Sequence, residues 1–179
     1  MMCANRRWGE KMLRRMIGAA MLNVGVYEEV EADRSATFQA LFVVVLVSLA
    51  TGIGSLNVGG ANGLIYGILY GIFAWGLWAF ITYFVGTRLF PTPETEANWG
   101  QLLRTLGFAQ SPGMFRVFGF IPVVGPIIFF ATAIWQLFTM VVAVRQALDY
   151  RSTWRAVGVV IVGFIPYVLF LSLLLTLVS

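Results

Sequence analysis

The stretch from Leu102 to Tyr150 constrains this chain more than any other: LLRTLGFAQSPGMFRVFGFIPVVGPIIFFATAIWQLFTMVVAVRQALDY. A basic amphipathic start leads to a break at Ser111 and Pro112. A corner follows at Gly125, between Pro122 and Pro126, and a long apolar run then closes on Arg145, Asp149 and Tyr150. Read one way the stretch is a single membrane crossing, read the other way two, and the choice sets the topology of the whole chain. Membrane class itself follows from composition. Only 11% of residues are charged and 59% are hydrophobic, with mean hydropathy +0.84, against about 25% charged in an ordinary soluble domain.

Residues 1–26 interleave Arg6, Arg7, Lys11, Arg14 and Arg15 with Trp8, Met12, Leu13, Met16 and Ile17. On a helix Trp8, Met12 and Met16 stack along one face, while Arg7, Lys11 and Arg14 share another. That pattern predicts a helix lying in the interface of an anionic leaflet. A cleaved signal peptide is the competing reading, disfavoured by Asn23, Gly25 and the acidic residues that follow at once. Tyr27–Ser35 (YEEVEADRS) reads as a polar hinge in which Asp33 or Ser35 can cap the next helix. Predicted spans follow at about Ala36–Leu56 and Gly63–Val85, separated by the uncharged turn Asn57–Asn62. The second span carries Gly63, Gly67 and Gly71 at four-residue steps, a small-residue row that lets another helix approach closely. Packing within the bundle is preferred there to a dimer seam. Trp75, Trp78 and Tyr83 are either interfacial anchors or packing residues.

Charge decides the division of the central stretch. If Leu103–Val124 crosses and Pro126–Val144 crosses back, with about Ala156–Leu177 as a fifth span, basic residues fall on alternate sides. Arg6, Arg7, Lys11, Arg14, Arg15 and Arg34 precede the first span; Arg88 and Arg104 flank the second connection; Arg145, Arg151 and Arg155 fill the fourth. The first and third connections and the C-terminus carry none. The expectation is therefore an all-α polytopic bundle of five transmembrane helices, N-terminus cytoplasmic and C-terminus outside. It divides into a cytoplasmic amphipathic helix and polar hinge (1–35) and a five-helix transmembrane domain (36–178).

Within this order, TLGFAQSPGMF resembles the start of the third span in the Yip1 domain family, where a Gly-aromatic pair is followed shortly by Pro; here these are Gly107, Phe108 and Pro112. YEEVEADRSATFQALFVVVL resembles the lead-in and first span of bacterial members, and WQLFTMVVAVRQALDYRSTWRAVGVVIVGF their fourth and fifth spans. The resemblance covers about Tyr27–Val178. It implies a five-span bundle with a cytoplasmic N-terminal region in a bacterial inner membrane. Eukaryotic relatives bind prenylated Rab GTPases and take part in vesicle transport and membrane shaping.

Candidate contact residues are few. Arg116 is the one charge inside a predicted span, where an arginine costs at least about 2.5 kcal/mol by insertion scales. Either it contacts a lipid phosphate, a substrate or a partner subunit, or it snorkels to the outer surface on its long stem. No acidic residue lies in any span, so backbone carbonyls, Gln136, a lipid or another chain are the partners open to it. Arg145 and Asp149, four apart, could pair on one helix face. Together with Arg88, Arg104, Arg151 and Arg155 they could form an anionic-headgroup site, or simply fix orientation. The acids Glu28, Glu29, Glu31 and Asp33 either dock on that basic face or stay solvated.

Chemistry is not indicated. His is absent, the single Cys3 cannot form an internal disulfide or a thiolate metal site, and Lys11 is the sole lysine. The expectation is a non-enzymatic membrane scaffold or adaptor with no cofactor and no metal. Its expected partners are anionic membrane lipids and other membrane subunits or further copies of itself, and not nucleic acid. An accessory subunit of a larger complex, with Trp135 and Arg116 docking on neighbours, is one alternative. A small transporter or lipid translocator, with Pro112 and Pro122 beside a cavity, is the other.

Overall fold

In hydrocarbon every backbone N–H and C=O must be satisfied within the protein, so long apolar runs become helices. The computed structural model describes residues 2–56, 62–93, 95 and 97–178, except the side chains of 2–7, 62–66, 174, 175, 177 and 178. These residues form α1 (Met2–Ala20), α2 (Val24–Ala32), α3 (Ala36–Gly54), α4 (Asn62–Arg88) and α5 (Trp99–Ala109). A 3-10 helix (Ser111–Phe120), α6 (Val124–Ala147) and α7 (Thr153–Val178) complete the chain. Four of the described helices are long and apolar enough to cross a membrane: Ala36–Gly54, Gly67–Arg88, Val124–Ala147 and Thr153–Leu173. The turn predicted at Asn57–Asn62 lies almost wholly outside the described residues.

The predicted third span, Leu103–Val124, is not one continuous helix. It is α5 followed by the 3-10 helix, and the cause is local. Pro112 has no N–H to give the carbonyl of Phe108, and Gly113 N bonds to Gln110 O (2.8 Å) instead of Ala109 O. Side chains take up the Phe108 and Ala109 carbonyls and give the Gln110 carbonyl a second donor. Ser111 Oγ donates to Phe108 O (2.6 Å), Thr139 Oγ1 to Ala109 O (2.7 Å) and Gln136 Nε2 to Gln110 O (3.1 Å). The break is thus tolerated in an apolar setting because α6 supplies the missing donors. At 1.5 Å and 2.0 Å per residue the two pieces are about 16 Å and 20 Å long.

They run beside α3 in the same direction. A Cβ added at Gly107 would crowd Ala40, one at Gly113 would crowd Val47, and one at Gly54 would overlap the Arg116 carbonyl. Successive points of the broken element therefore meet the start, middle and end of α3.

α1 and α2 form a helical hairpin turned at Leu22 (φ 61°), with Gly18 against Val26 and Tyr27 Oη donating to Ala19 O (3.0 Å). The face expected to rest on lipid packs inward from Met12 onward: Met12, Met16 and Ala19 are buried, and Leu13, Ile17 and Met21 are exposed. Trp135 Nε1 donates to Ala20 O (2.8 Å), which ties the end of α1 to the middle of α6.

Candidate functional site

The polar chemistry of the molecule is concentrated in two places, a cap at the α1/α2 end and an arginine inside the bundle. In the cap, α2 presents its acids to different elements. Glu29 and Asp33 meet α1: Arg14 Nη2 lies 2.7 Å from Glu29 Oε2, and Lys11 Nζ 3.0 Å from Asp33 Oδ2. Arg15, fully buried, donates to Glu29 Oε1 (2.9 Å), Asp33 Oδ2 (2.6 Å) and Gln39 Oε1 of α3 (2.7 Å). Glu31 accepts from Gln101 Nε2 of α5 (2.9 Å), and Glu28 from Gln146 Nε2 of α6 (3.1 Å). Arg104 is also buried and donates to the carbonyls of Val30 and Glu31 at the C-terminal end of α2, where a cation complements the helix dipole.

These neighbours set the titration of the acids. Hydrogen bonds from Ser35 and then Arg15 and Lys11 hold Asp33 well below the usual carboxylate range. Burial pushes Glu29 up, but hydrogen bonds from Arg14 and Arg15 outweigh it and keep the group below its ordinary value. Glu31 goes the other way. Burial, with the charges of Asp149 and Glu28 adding to it and Arg104 opposing, pushes it up to about 7.

The acidic run therefore docks mainly on the N-terminal helix, and on Arg104, rather than on the basic turn at 145–155. Arg145 folds onto its own turn, donating from Nε to Tyr150 O (3.2 Å) and from Nη1 to Thr153 Oγ1 (3.3 Å). The expected pairing of Arg145 with Asp149 on one helix face does not form, because α6 ends at Ala147 and Asp149 adopts φ 52°. Arg155 donates to Pro91 O (3.4 Å). Arg88, Arg151 and Arg155 are exposed, and Trp154 beside them is 82% exposed. Of the predicted interfacial residues, Lys11 and Arg14 serve the cap and Trp8 stacks edge-on with Phe42 (5.9 Å). The Arg7 side chain lies outside the described residues.

Arg116 does not reach for the outer surface. Its Nη2 donates to Gln136 Oε1 and its Nε to Thr132 Oγ1 (3.3 Å), both on α6, and its guanidinium lies 5.9 Å from the Phe129 ring centroid. It faces a partly open cavity of about 340 Å³ lined by α3, α4, α6, α7 and the α5/3-10 junction. Ser48, Thr51 and Ser55 bring hydroxyls, and Tyr70, Trp75, Trp78, Phe164 and Tyr167 bring aromatic surface.

The glycine row divides at this cavity. A Cβ at Gly71 would overlap Ser48 Oγ of α3, whereas one at Gly67 meets nothing within 4 Å and points to open space. The surroundings of Gly63 lie outside the described residues. Trp75 and Trp78 are buried packing residues rather than surface anchors, and Trp75 Nε1 donates to Leu103 O (3.0 Å). Trp135, expected to face lipid or a neighbour, is 38% exposed and bound to α1. Gly107 lies against Ala40 of α3, and Phe108 and Pro112 are buried.

Sequence reasoning singled out neither Arg15 nor Gln39, Gln101, Gln110 or Thr139. The signal was present for Gln39, Gln110, Gln136 and Thr139, since polar side chains within apolar runs rarely lack a partner. Among the described residues no group of His, Cys, Asp and Glu could hold a metal ion. The model of the Yip1 domain family matches residues 24–174. No curated protein and no solved structure matches the chain.

Proposed function

Because the chain belongs to the Yip1 domain family, we propose that it is a non-enzymatic membrane scaffold or adaptor that works by helix packing, lipid contact and partner binding. The observation that carries this reading is the cap. Its acids and bases are committed to one another across α1, α2, α3, α5 and α6, which builds a fixed framework rather than a set of groups held ready for proton transfer. What the molecule offers outward is apolar helix surface and an exposed basic edge of Arg88, Arg151, Arg155 and Trp154, suited to anionic headgroups or a partner's acidic segment.

In this reading the bundle crosses five times in a bacterial inner membrane, with the N-terminus cytoplasmic and the C-terminus outside. The course of α5 and the 3-10 helix along the length of α3 supports the fifth crossing, as does the Glu28–Gln146 bond between the segment before α3 and the end of α6.

The test is gentle extraction of the full chain from native membrane and mass determination of the intact particle with everything in it. A lone or self-associated particle, or one with a substoichiometric partner, supports the adaptor. A fixed-ratio assembly with a second protein overturns it in favour of an accessory subunit.

A further inference from the structure

We propose that the cavity facing Arg116 is a binding site for an anionic amphiphile, its phosphate or carboxylate head on the guanidinium and its hydrocarbon body against the aromatic wall. This deepens the lipid contact proposed above and rests on the bundle lying in a bilayer. Three observations carry it. The first is charge. Among the described residues Arg116 has no carboxylate partner, and its hydrogen bonds engage only two of its five N–H groups, through neutral Thr132 and Gln136. A guanidinium at membrane depth calls for an anion, and its planar fork fits a phosphate or carboxylate edge-on.

The second is a donor left over. Trp78 lines the same cavity, is 4% exposed, and its Nε1–H has no hydrogen-bond partner. Buried indole N–H groups are ordinarily paired. The Trp78 N–H is an unspent donor within a residue of the cavity wall.

The third is shape and lining. The volume, about 340 Å³, is that of a ligand pocket rather than a packing fault, and its lining is mixed. Arg116, Ser48, Thr51 and Ser55 bring polar groups to it, and Val44, Val47, Trp78 and Val160 bring apolar surface. Gly67 opens onto the void, where a side chain would otherwise fill it. A guanidinium set in a largely apolar and aromatic lining suits an amphiphile. A free inorganic anion would leave the aromatic wall unused.

The experiment loads purified full-length protein in nanodiscs of phosphatidylcholine doped with phosphatidylglycerol or, separately, oleate, delipidates it in mild detergent, and counts retained molecules by native mass spectrometry. Three variants accompany wild type: Arg116→Gln, Gly67→Leu, which fills the void from a position with room for a side chain, and the surface pair Arg151→Gln/Arg155→Gln. Wild type and the surface pair are expected to retain about one anionic amphiphile per chain, and both cavity variants at least tenfold less. Retention of phosphatidylglycerol identifies a membrane phospholipid, and retention of oleate alone identifies a free fatty acid. No retention by wild type, retention that survives Gly67→Leu, or loss only in the surface pair would each overturn the site. The particle mass from native membrane judges the adaptor reading separately, so the two can fail independently.

Discussion

Thr139 shows how much one hydroxyl can carry in an apolar bundle. Its Oγ1 is the donor that meets the Ala109 carbonyl left over by the 3-10 turn, and the residue is fully buried. Thr139→Val keeps the shape and removes the donor. Its expected cost is about 1 kcal/mol, in the range of interhelical hydrogen bonds in membranes, read as a lower midpoint of thermal unfolding in detergent; an unchanged midpoint would count against the donor's role. Glu31 carries a pH dependence whose sign follows from its environment. Its carboxyl titrates near 4.5 when free and at about 7 in the fold. Between those values the native state holds the extra proton, so stability falls as pH rises from about 4.5 through 7. Glu31→Gln has no proton to lose. Between pH 5 and pH 8 wild type should lose roughly 1–2 kcal/mol more than the variant, after allowance for solvent screening of a half-buried group. Parallel pH profiles would refute this.

At the scale of elements, the broken helix is defined by where it touches α3. Gly107 has no room for a side chain because Ala40 lies against it, whereas Gly67 has open space. Gly107→Ala should therefore destabilise by about 1–3 kcal/mol through overpacking, and Gly67→Ala should be neutral or stabilise by up to about 1 kcal/mol through helix propensity. Unfolding midpoints of the two variants side by side check the contrast, and equal effects would remove it. Four long apolar helices were legible because run length alone marks them, and the break was legible in Ser111 and Pro112. Its continuation as a 3-10 helix to Phe120 was not. At its start Thr139, far along the chain, arrives to take the Ala109 carbonyl. The inward packing of α1 was hidden for a related reason. Its stripe at Met12 and Met16 is the same whether it meets lipid or the rest of the bundle, and Arg15 is hidden within a run of basic residues.

For the whole molecule, the arrangement of crossings makes one direct prediction. On a Cys3→Ser background, Ser35→Cys and Ser152→Cys should react with an impermeant maleimide from the same side of the membrane. A chain that crossed only with α3, α4, α6 and α7 would place them on opposite sides, so opposite labelling would sink the five-crossing reading. The orientation rule applied to Arg88, Arg145, Arg151 and Arg155 and the Glu28–Gln146 bond lead to the same side by independent routes. The cavity could not be read from the sequence in the same way. Gly67, Trp78 and Arg116 come from separate stretches, and only the packed bundle shows that they share one void.

The wiring of α2 also has a consequence in time. A ribosome emits Glu28, Glu29, Glu31 and Asp33 early, and Arg15 is already there to meet two of them. Gln101 and Arg104 come later, and Gln146 lies 118 residues beyond Glu28. During synthesis the partners of α2 thus arrive in stages, α1 first, then α5, then the far end of α6. The last bond can close only after the intervening helices have been threaded into the bilayer. A nascent chain that stalls or inserts a helix the wrong way round leaves Glu28 and Glu31 without their glutamines, a mark by which a membrane protease could tell an unfinished bundle from a finished one.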